Sequence, residues 1–416
     1  MNRLPRLLPL LGVAILAGGC DWLFGPGDGL IDGLPRELSV AEASLIRADN
    51  SFSFKLFSEL NEQERDGNLF VSPLSVAMAL GMTYNGAAGS TQEAMEQTLG
   101  LEGMTLEEIN QSYRDLIDLL RNLDHRVEFI LANSIWYRDT WTFNPDFLET
   151  NRTYFDAEVA ALDFSSPQAG RTINDWVNDK TNGKIPEIVP QQIPIDIIMY
   201  LINAIYFKAD WAAQFDKSLT EDGPFTLEDG SQITARMMWH DEPARVWRYH
   251  GQSISVVDLP YGGRAFSMTL LIPDAPAAID SIGRTLTQEQ WDLWIAGLDS
   301  TSLVISMPRF TIEYEIDLNE ALDSLGMGVA FQEYVADFSR MCCQPGDVYI
   351  DKVKHKAFVE VNEEGTEAAA ATAVGMVPTS SGPQPFIIDR PFVFVIREKF
   401  SGTILFMGKV MDPTAG

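Results

Sequence analysis

The sequence predicts an α+β protein with one large domain, and three observations carry that expectation. Segments with helical spacing of apolar residues crowd the first part of the chain, strand-like runs crowd the second, and no glycine-rich linker separates them. Many of the strand runs are almost continuously apolar, which suits sheets covered on both faces. With 416 residues, 46% of them hydrophobic, a sizeable core is available.

The N-terminus follows another plan. In "MNRLPRLLPLLGVAILAGGC", Arg3 and Arg6 precede an apolar run from Leu7 to Ala17, then small residues and Cys20. That is an export signal, too short and proline-interrupted for a membrane span. The small residues before Cys20 resemble a bacterial lipoprotein cleavage box, which implies a lipid-modified Cys20 at the mature N-terminus. Ordinary signal cleavage near Gly19 is the alternative. The expected organisation is a signal peptide over 1–19, a flexible tether over 20–35 and a folded body over 36–416. The chain would then be anchored by lipid to the cell envelope, or secreted.

Within the body, "AEASLIRADNSFSFKLFSELNEQ" reads as a helix ending before Gly67. "PLSVAMALGMTYNGA" and "STQEAMEQTLG" read as two more, the second with Ser90 as N-cap and Glu93 three residues on. "RTINDWVNDKTNG" is a further helix, stopped at Gly183. Strands are expected at "EFILANSIWY", "IIMYLINAIYFKADW", "ISVVDLPY", "FSMTLLIP", "SLVISMPRFTIEYEI", "KAFVEV" and "RPFVFVIRE".

Charge and cysteine content exclude several functions. A formal net charge of −29 argues against nucleic acid, which needs a concentrated basic surface. Beyond Cys20 only the adjacent Cys342 and Cys343 remain, so no disulfide framework stabilises the body. They have no CxxC or histidine partner nearby, and no metal or cofactor is expected. They are incidental loop residues or a strained vicinal disulfide.

Catalytic signatures are scarce. No GxSxG elbow, HExxH helix, P-loop or GxGxxG fingerprint occurs, and there are only four histidines. A hydrolase with a dispersed Ser-His-Asp triad stays open as an alternative. His355, inside the strand-like "DKVKHKAFVEV", is expected to face a sheet interior as a hydrogen-bonded core residue.

The stretch "EEGTEAAAATAVGMVPTSSGPQPF", Glu363–Phe386, has few large apolar side chains, and taken alone it reads as a flexible surface loop. Its flanks change that reading. "NLFVSPLSVAMALGMTYNGAAGSTQEAMEQTLG", "INDWVNDKTNGKIPEIV", "LINAIYFKADWAAQFD", "MPRFTIEYEIDLNEALDSLGM", "HKAFVEVNEEGTEAAAAT" and "RPFVFVIREKFSGTILFMGKV" resemble segments of the serpin family, in that family's order. The likeness covers the chain from about Arg36 onward. It implies the serpin fold, with three β-sheets, about nine helices and an exposed reactive-centre loop at about 363–390. It also implies a suicide inhibitor of serine proteases rather than an enzyme, whose cleaved loop inserts into the main sheet.

Insertion demands side chains that suit burial on alternate positions. Counted from Thr366, the inward set is Thr366, Ala368, Ala370 and Thr372, and the outward set includes Glu367, Ala369 and Ala371. Gly365 supplies a hinge. This alanine-rich hinge resembles inhibitory members, and a non-inhibitory serpin acting as a binding or structural protein is the alternative. The family's spacing places the reactive bond at Thr379–Ser380, to within about one residue. Pro378 and Thr379 resemble what elastase-like proteases accept, and no Arg or Lys occurs between Gly365 and Asp389. Met376 and Val377 are alternative cleavage points for a chymotrypsin- or subtilisin-like target.

Other positions carry over from the resemblance. Ser72, Ser75, Asn203 and His355 match the shutter, a polar cluster beneath the main sheet, with Asn203 and His355 expected to bond each other across neighbouring strands. Lys208 and Trp211 match the breach where the loop enters, and an ion pair between Arg309 and Glu363 is expected there. The expected partner is a target serine protease held as a covalent acyl-enzyme, the lipid on Cys20 giving membrane attachment. The expected state is a monomer that can polymerise by placing one molecule's loop in another's sheet.

Overall fold

The structure is a computed structural model that describes residues 29–366 and 385–415. The chain divides into Met1–Leu30, of which only residues 29 and 30 are described, and a body, Ile31–Gly416. In the body, the Ile31 amide donates to the Gly263 carbonyl, and Ile31, Leu34 and Leu38 pack against the core. Close packing therefore begins before Arg36.

The body has three sheets and, among the described residues, nine α-helices, the architecture that the resemblance implies. The helix Val40–Gln63 opens on a capping box, with Ser39 accepting from the Glu42 amide and the Glu42 carboxylate reaching back. The helix Pro73–Tyr84 is capped by Ser72, with proline in its first turn. The expected Ser90 cap is not made. The helix begins at Gly89 behind Ala88, because Ala88 is tied to the Asp337 carbonyl and leaves Ser90 inside the first turn.

A six-stranded sheet runs in the order Phe310–Asp317, Lys354–Val361, Gly365–Thr366, Met199–Asp210, Val127–Arg138, Ala157–Leu162. A seven-stranded sheet packs beneath it. Its strands Ile254–Pro260, Phe266–Pro273, Phe392–Glu398 and Ile404–Val410 are buried along their whole length, so both faces are covered. The four-stranded sheet ends on Phe386–Ile387, the strand just after the undescribed 367–384, paired in parallel with Ile305–Pro308. The run "SLVISMPRFTIEYEI" is not one strand. It forms Asp299–Leu303, Ile305–Pro308 and Phe310–Asp317 in three different sheets. Proline cannot donate to a ladder, and Pro308 marks one of the breaks.

Cys342 and Cys343 are free thiols, the first buried. Among the described residues, no group of three or more His, Cys, Asp or Glu could hold a metal ion, and no helix is long and apolar enough to cross a membrane.

Candidate functional site: a slot in the six-stranded sheet

The chain leaves the strand Lys354–Val361, reverses over Asn362–Glu364 and re-enters the same sheet at Gly365–Thr366. The Asn362 amide donates to the Gly365 carbonyl at 2.9 Å, and Asn362 Oδ1 accepts from the amides of Glu364 and Gly365. Gly365 pairs with Asp210, while Thr366 pairs with Ala209 on one side and Val361 on the other. A Cβ at position 365 would stand 2.0 Å from the Ala209 carbonyl oxygen, so only glycine fits where the hinge meets the strand.

Thr366 faces inward. It is buried, and its hydroxyl lies 2.6 Å from that of Tyr261. Burial pushes the Tyr261 phenol far up, so it keeps its proton and is available as the donor. Below Thr366 a cleft continues between the two central strands, walled by Ile205, Tyr206 and Phe207 on one side and Phe358, Val359 and Glu360 on the other. Both strands pair with Gly365–Thr366 and, among the described residues, not with each other. Among the described residues, the sheet is open along a slot.

At the mouth of the slot, the Trp211 indole donates to the Asn362 carbonyl at 2.9 Å and stacks on Tyr261 with ring centroids 4.4 Å apart. The Trp211 and Phe215 amides donate to the Glu364 and Glu363 carbonyls, so two backbone bonds hold the turn. Glu363 is buried and accepts from Thr220 Oγ1 at 2.7 Å, with Arg309 Nη1 at 3.7 Å. Lys217 pairs with Glu364. Lys208 lies on the exposed face of its strand.

Below the sheet, Ser72 Oγ donates to the Leu405 carbonyl at 2.8 Å and accepts from the Ser75 amide. The Ser72 amide donates to His355 Nε2 at 3.1 Å, which places the ring proton on Nδ1. Burial holds His355 neutral, its pKa pushed down to about 4. Ser75 Oγ donates to the Asn203 carbonyl at 3.3 Å.

The expected Asn203–His355 bond is absent among the described residues. Asn203 Nδ2 turns the other way, to Asn133 Oδ1 at 2.6 Å, and Asn203 Oδ1 is buried with no partner. The physical reason is the slot, since strands flanking another strand stand about twice the usual ~4.8 Å apart. Asn133, in turn donating to the Phe155 carbonyl, is a member of this cluster that sequence reasoning missed. Tyr261, Thr220 and Lys217, around Thr366 and the mouth of the slot, were missed as well. Cys20, Glu367, Ala368, Ala369, Ala370, Ala371, Thr372, Thr379 and Ser380 lie outside the described residues.

Comparison with known proteins bears on this arrangement. A family model described as "Serpin (serine protease inhibitor)" matches residues 47–413. The chain is 35% identical over 379 residues to the leukocyte elastase inhibitor of Sus scrofa, spanning 89% of this chain and 99% of that protein. It is likewise 35% identical over 377 residues to Serpin B8 of Homo sapiens, spanning 89% and 99%. Among solved structures, "Cleaved Serpin 42Da" superposes with a TM-score of 0.79 at 28% identity, over 90% of this chain and 99% of that one. A thyroxine-binding globulin in complex with thyroxine gives 0.79 at 28% identity, over 89% and 99%.

Proposed function

Because this chain belongs to the serpin family, and its relatives are named as protease inhibitors rather than enzymes, we propose that it traps a serine protease covalently and carries it away on an inserting loop. The protease serine attacks the carbonyl of the bait residue. The peptide nitrogen of the next residue takes a proton and leaves, and an ester joins inhibitor to enzyme. Freed at one end, the loop enters the slot before water hydrolyses the ester.

The observation that carries this reading is Thr366, the first of the inward set, seated between the two central strands with its side chain buried. Continuing that register sets Ala368 opposite Phe207 and Val359, Ala370 opposite Ile205 and Ala357, and Thr372 opposite Asn203 and His355. Phe207, Val359, Ala357 and His355 are buried, so small side chains suit the inward positions. The outward Glu367 would meet Lys208 and Glu360. Thr372 would bring a hydroxyl to the level of Asn203 Oδ1, which lacks a donor. About ten inserted residues add ladder bonds at a net ~0.5–1.5 kcal/mol each, on the order of 10 kcal/mol. The uncleaved chain is then a kinetic trap.

The bait bond is Thr379–Ser380, and the target class is elastase-like, which the names of the leukocyte elastase inhibitors support. The lipid anchor on Cys20 rests on the N-terminal residues alone. Metabolic labelling with a radioactive fatty acid tests it: label retained by the chain and lost with Cys20→Ala supports the anchor, and an unlabelled chain removes it.

Mixing the protein with a pancreatic-type elastase tests the main reading. A complex that survives boiling in detergent, with a released C-terminal fragment beginning at Ser380, is the expected result. Cleavage without a complex would identify a non-inhibitory member, and a fragment beginning at Val377 or Pro378 would move the target toward chymotrypsin-like proteases.

A further inference from the structure

The outer mouth of the slot is crossed by the segment that follows the helix Pro167–Lys180. Asn182 and Gly183 both take the left-handed conformation, with φ of 48° and 83°, and this turns the chain off the helix end. Thr181 Oγ1 donates to the Val177 carbonyl and accepts from the Ile185 amide, so the crossing segment is braced against its own helix.

Its two ends are fastened on opposite sides of the slot. Asn182 Nδ2 donates to Glu128 Oε1 at 2.9 Å, and Glu128 sits opposite Lys208 in the ladder on one side. Two residues on, Lys184 Nζ lies 4.5 Å from the Phe358 ring centroid and 3.9 Å from Glu360 Oε2, both on the strand of the other side. Thr181, Lys184 and Ile185 themselves line the cleft. A strand descending from Thr366 must pass beneath these three residues.

We propose that Lys184 is a positioning residue for insertion: it pins a strap across the slot by one ammonium held to Phe358 and Glu360, and its release times the entry of the loop. An ammonium over a ring beside a carboxylate is a directional contact that a small sideways motion breaks, which suits a latch better than apolar packing. The latch holds the uncleaved chain closed and delays insertion after cleavage. This inference rests on the insertion reading above, so its readout is peptide uptake rather than protease trapping.

The test uses the full chain and a synthetic peptide of residues 366–377, whose uptake into the slot is followed by native gel shift. Lys184→Ala and Glu360→Gln are each expected to take up peptide about fivefold faster, with Lys184→Arg close to the unsubstituted rate because it keeps the cation. Equal uptake rates in all four proteins would overturn the latch while leaving insertion intact. An unsubstituted chain that takes up no peptide, and forms no complex with elastase, would instead remove the insertion reading and the latch with it. Melting temperatures of the four cleaved proteins, expected to coincide, separate a latch from a general loss of packing.

Discussion

The hydroxyls of Thr366 and Tyr261 stand 2.6 Å apart in a buried site, and this bond settles which face of the sheet Thr366 enters on. An inward position there admits a small polar group with a partner and excludes a charge, whose burial costs several kcal/mol. Thr366→Arg should therefore turn the inhibitor into a substrate. Only ~1.4 kcal/mol on the insertion barrier changes the partition about tenfold. The measurement is the fraction of elastase recovered as detergent-stable complex, expected to fall by at least that factor; an unchanged fraction counts against the inward register.

Gly365 is held to glycine by distance rather than by dihedral angle. A Cβ there would meet the Ala209 carbonyl at 2.0 Å. Gly365→Ala should push the hinge out of the sheet at a cost of ~1–3 kcal/mol. Faster amide exchange at Thr366, read by hydrogen–deuterium exchange, is the expected sign, and retained protection would mean that the strand yields instead.

His355 makes stability depend on acid. Its pKa is pushed down to about 4 by burial, against 6.5 for an unperturbed histidine. Between those values the unfolded chain binds a proton that the folded chain refuses. Stability is complete above pH ~6.5 and is lost as pH falls toward 4, by about 3 kcal/mol in all. The shutter should loosen over that window, and polymerisation at pH 5 should outpace that at pH 7.5 on native gels. Equal rates would leave His355 out of the opening step.

Asp49 works in the opposite direction. It is buried, its Oδ1 accepts from the Tyr113 hydroxyl at 3.0 Å, and Oδ2 has no partner. Burial raises its pKa to about 7, with the Tyr113 bond opposing the rise. Here the folded chain holds the proton, so stability is lost as pH climbs from ~4 through 7. Asp49→Asn keeps the acceptor and removes the charge. It should raise the melting temperature at pH 8 by several degrees and change it little at pH 4; a uniform shift would show that titration is not the cause.

At the mouth of the slot two contacts compete for importance. The Arg309–Glu363 pair is 3.7 Å long with Arg309 33% exposed, and such pairs contribute ~0–1 kcal/mol. Trp211 loses a buried indole bond to Asn362 as well as stacking area when replaced. Trp211→Phe should therefore shorten the half-time of polymerisation at raised temperature more than Arg309→Ala does. The reverse order would make the ion pair the principal clasp.

Much of the fold and of this site was legible in the residues, and the reasons differ by element. Helices with strong caps stand out locally, as Ser72 with the following proline does. The helix Leu106–Asn122 was overlooked although Thr105 and Glu108 make a capping box and Ile109, Tyr113, Leu116, Ile117 and Leu120 face the core. The start of the hinge, Gly365 and Thr366, was visible because a glycine and a small residue stand where the chain re-enters the sheet. Asn133 was not, because a single asparagine inside "EFILANSIWY" carries no signal until its strand is set beside Asn203. Lys184 was invisible for the same reason, since its meaning comes from the opposite lip of the slot.

All of these expectations depend on stored strain that cleavage releases. The direct measurement is thermal unfolding of the protein before and after a single cut at Thr379–Ser380. A gain on the order of 10 kcal/mol corresponds to a melting temperature higher by roughly 12 °C in a domain of this size. A rise of that order is the expected result, whereas an unchanged melting temperature after complete cleavage would contradict the account.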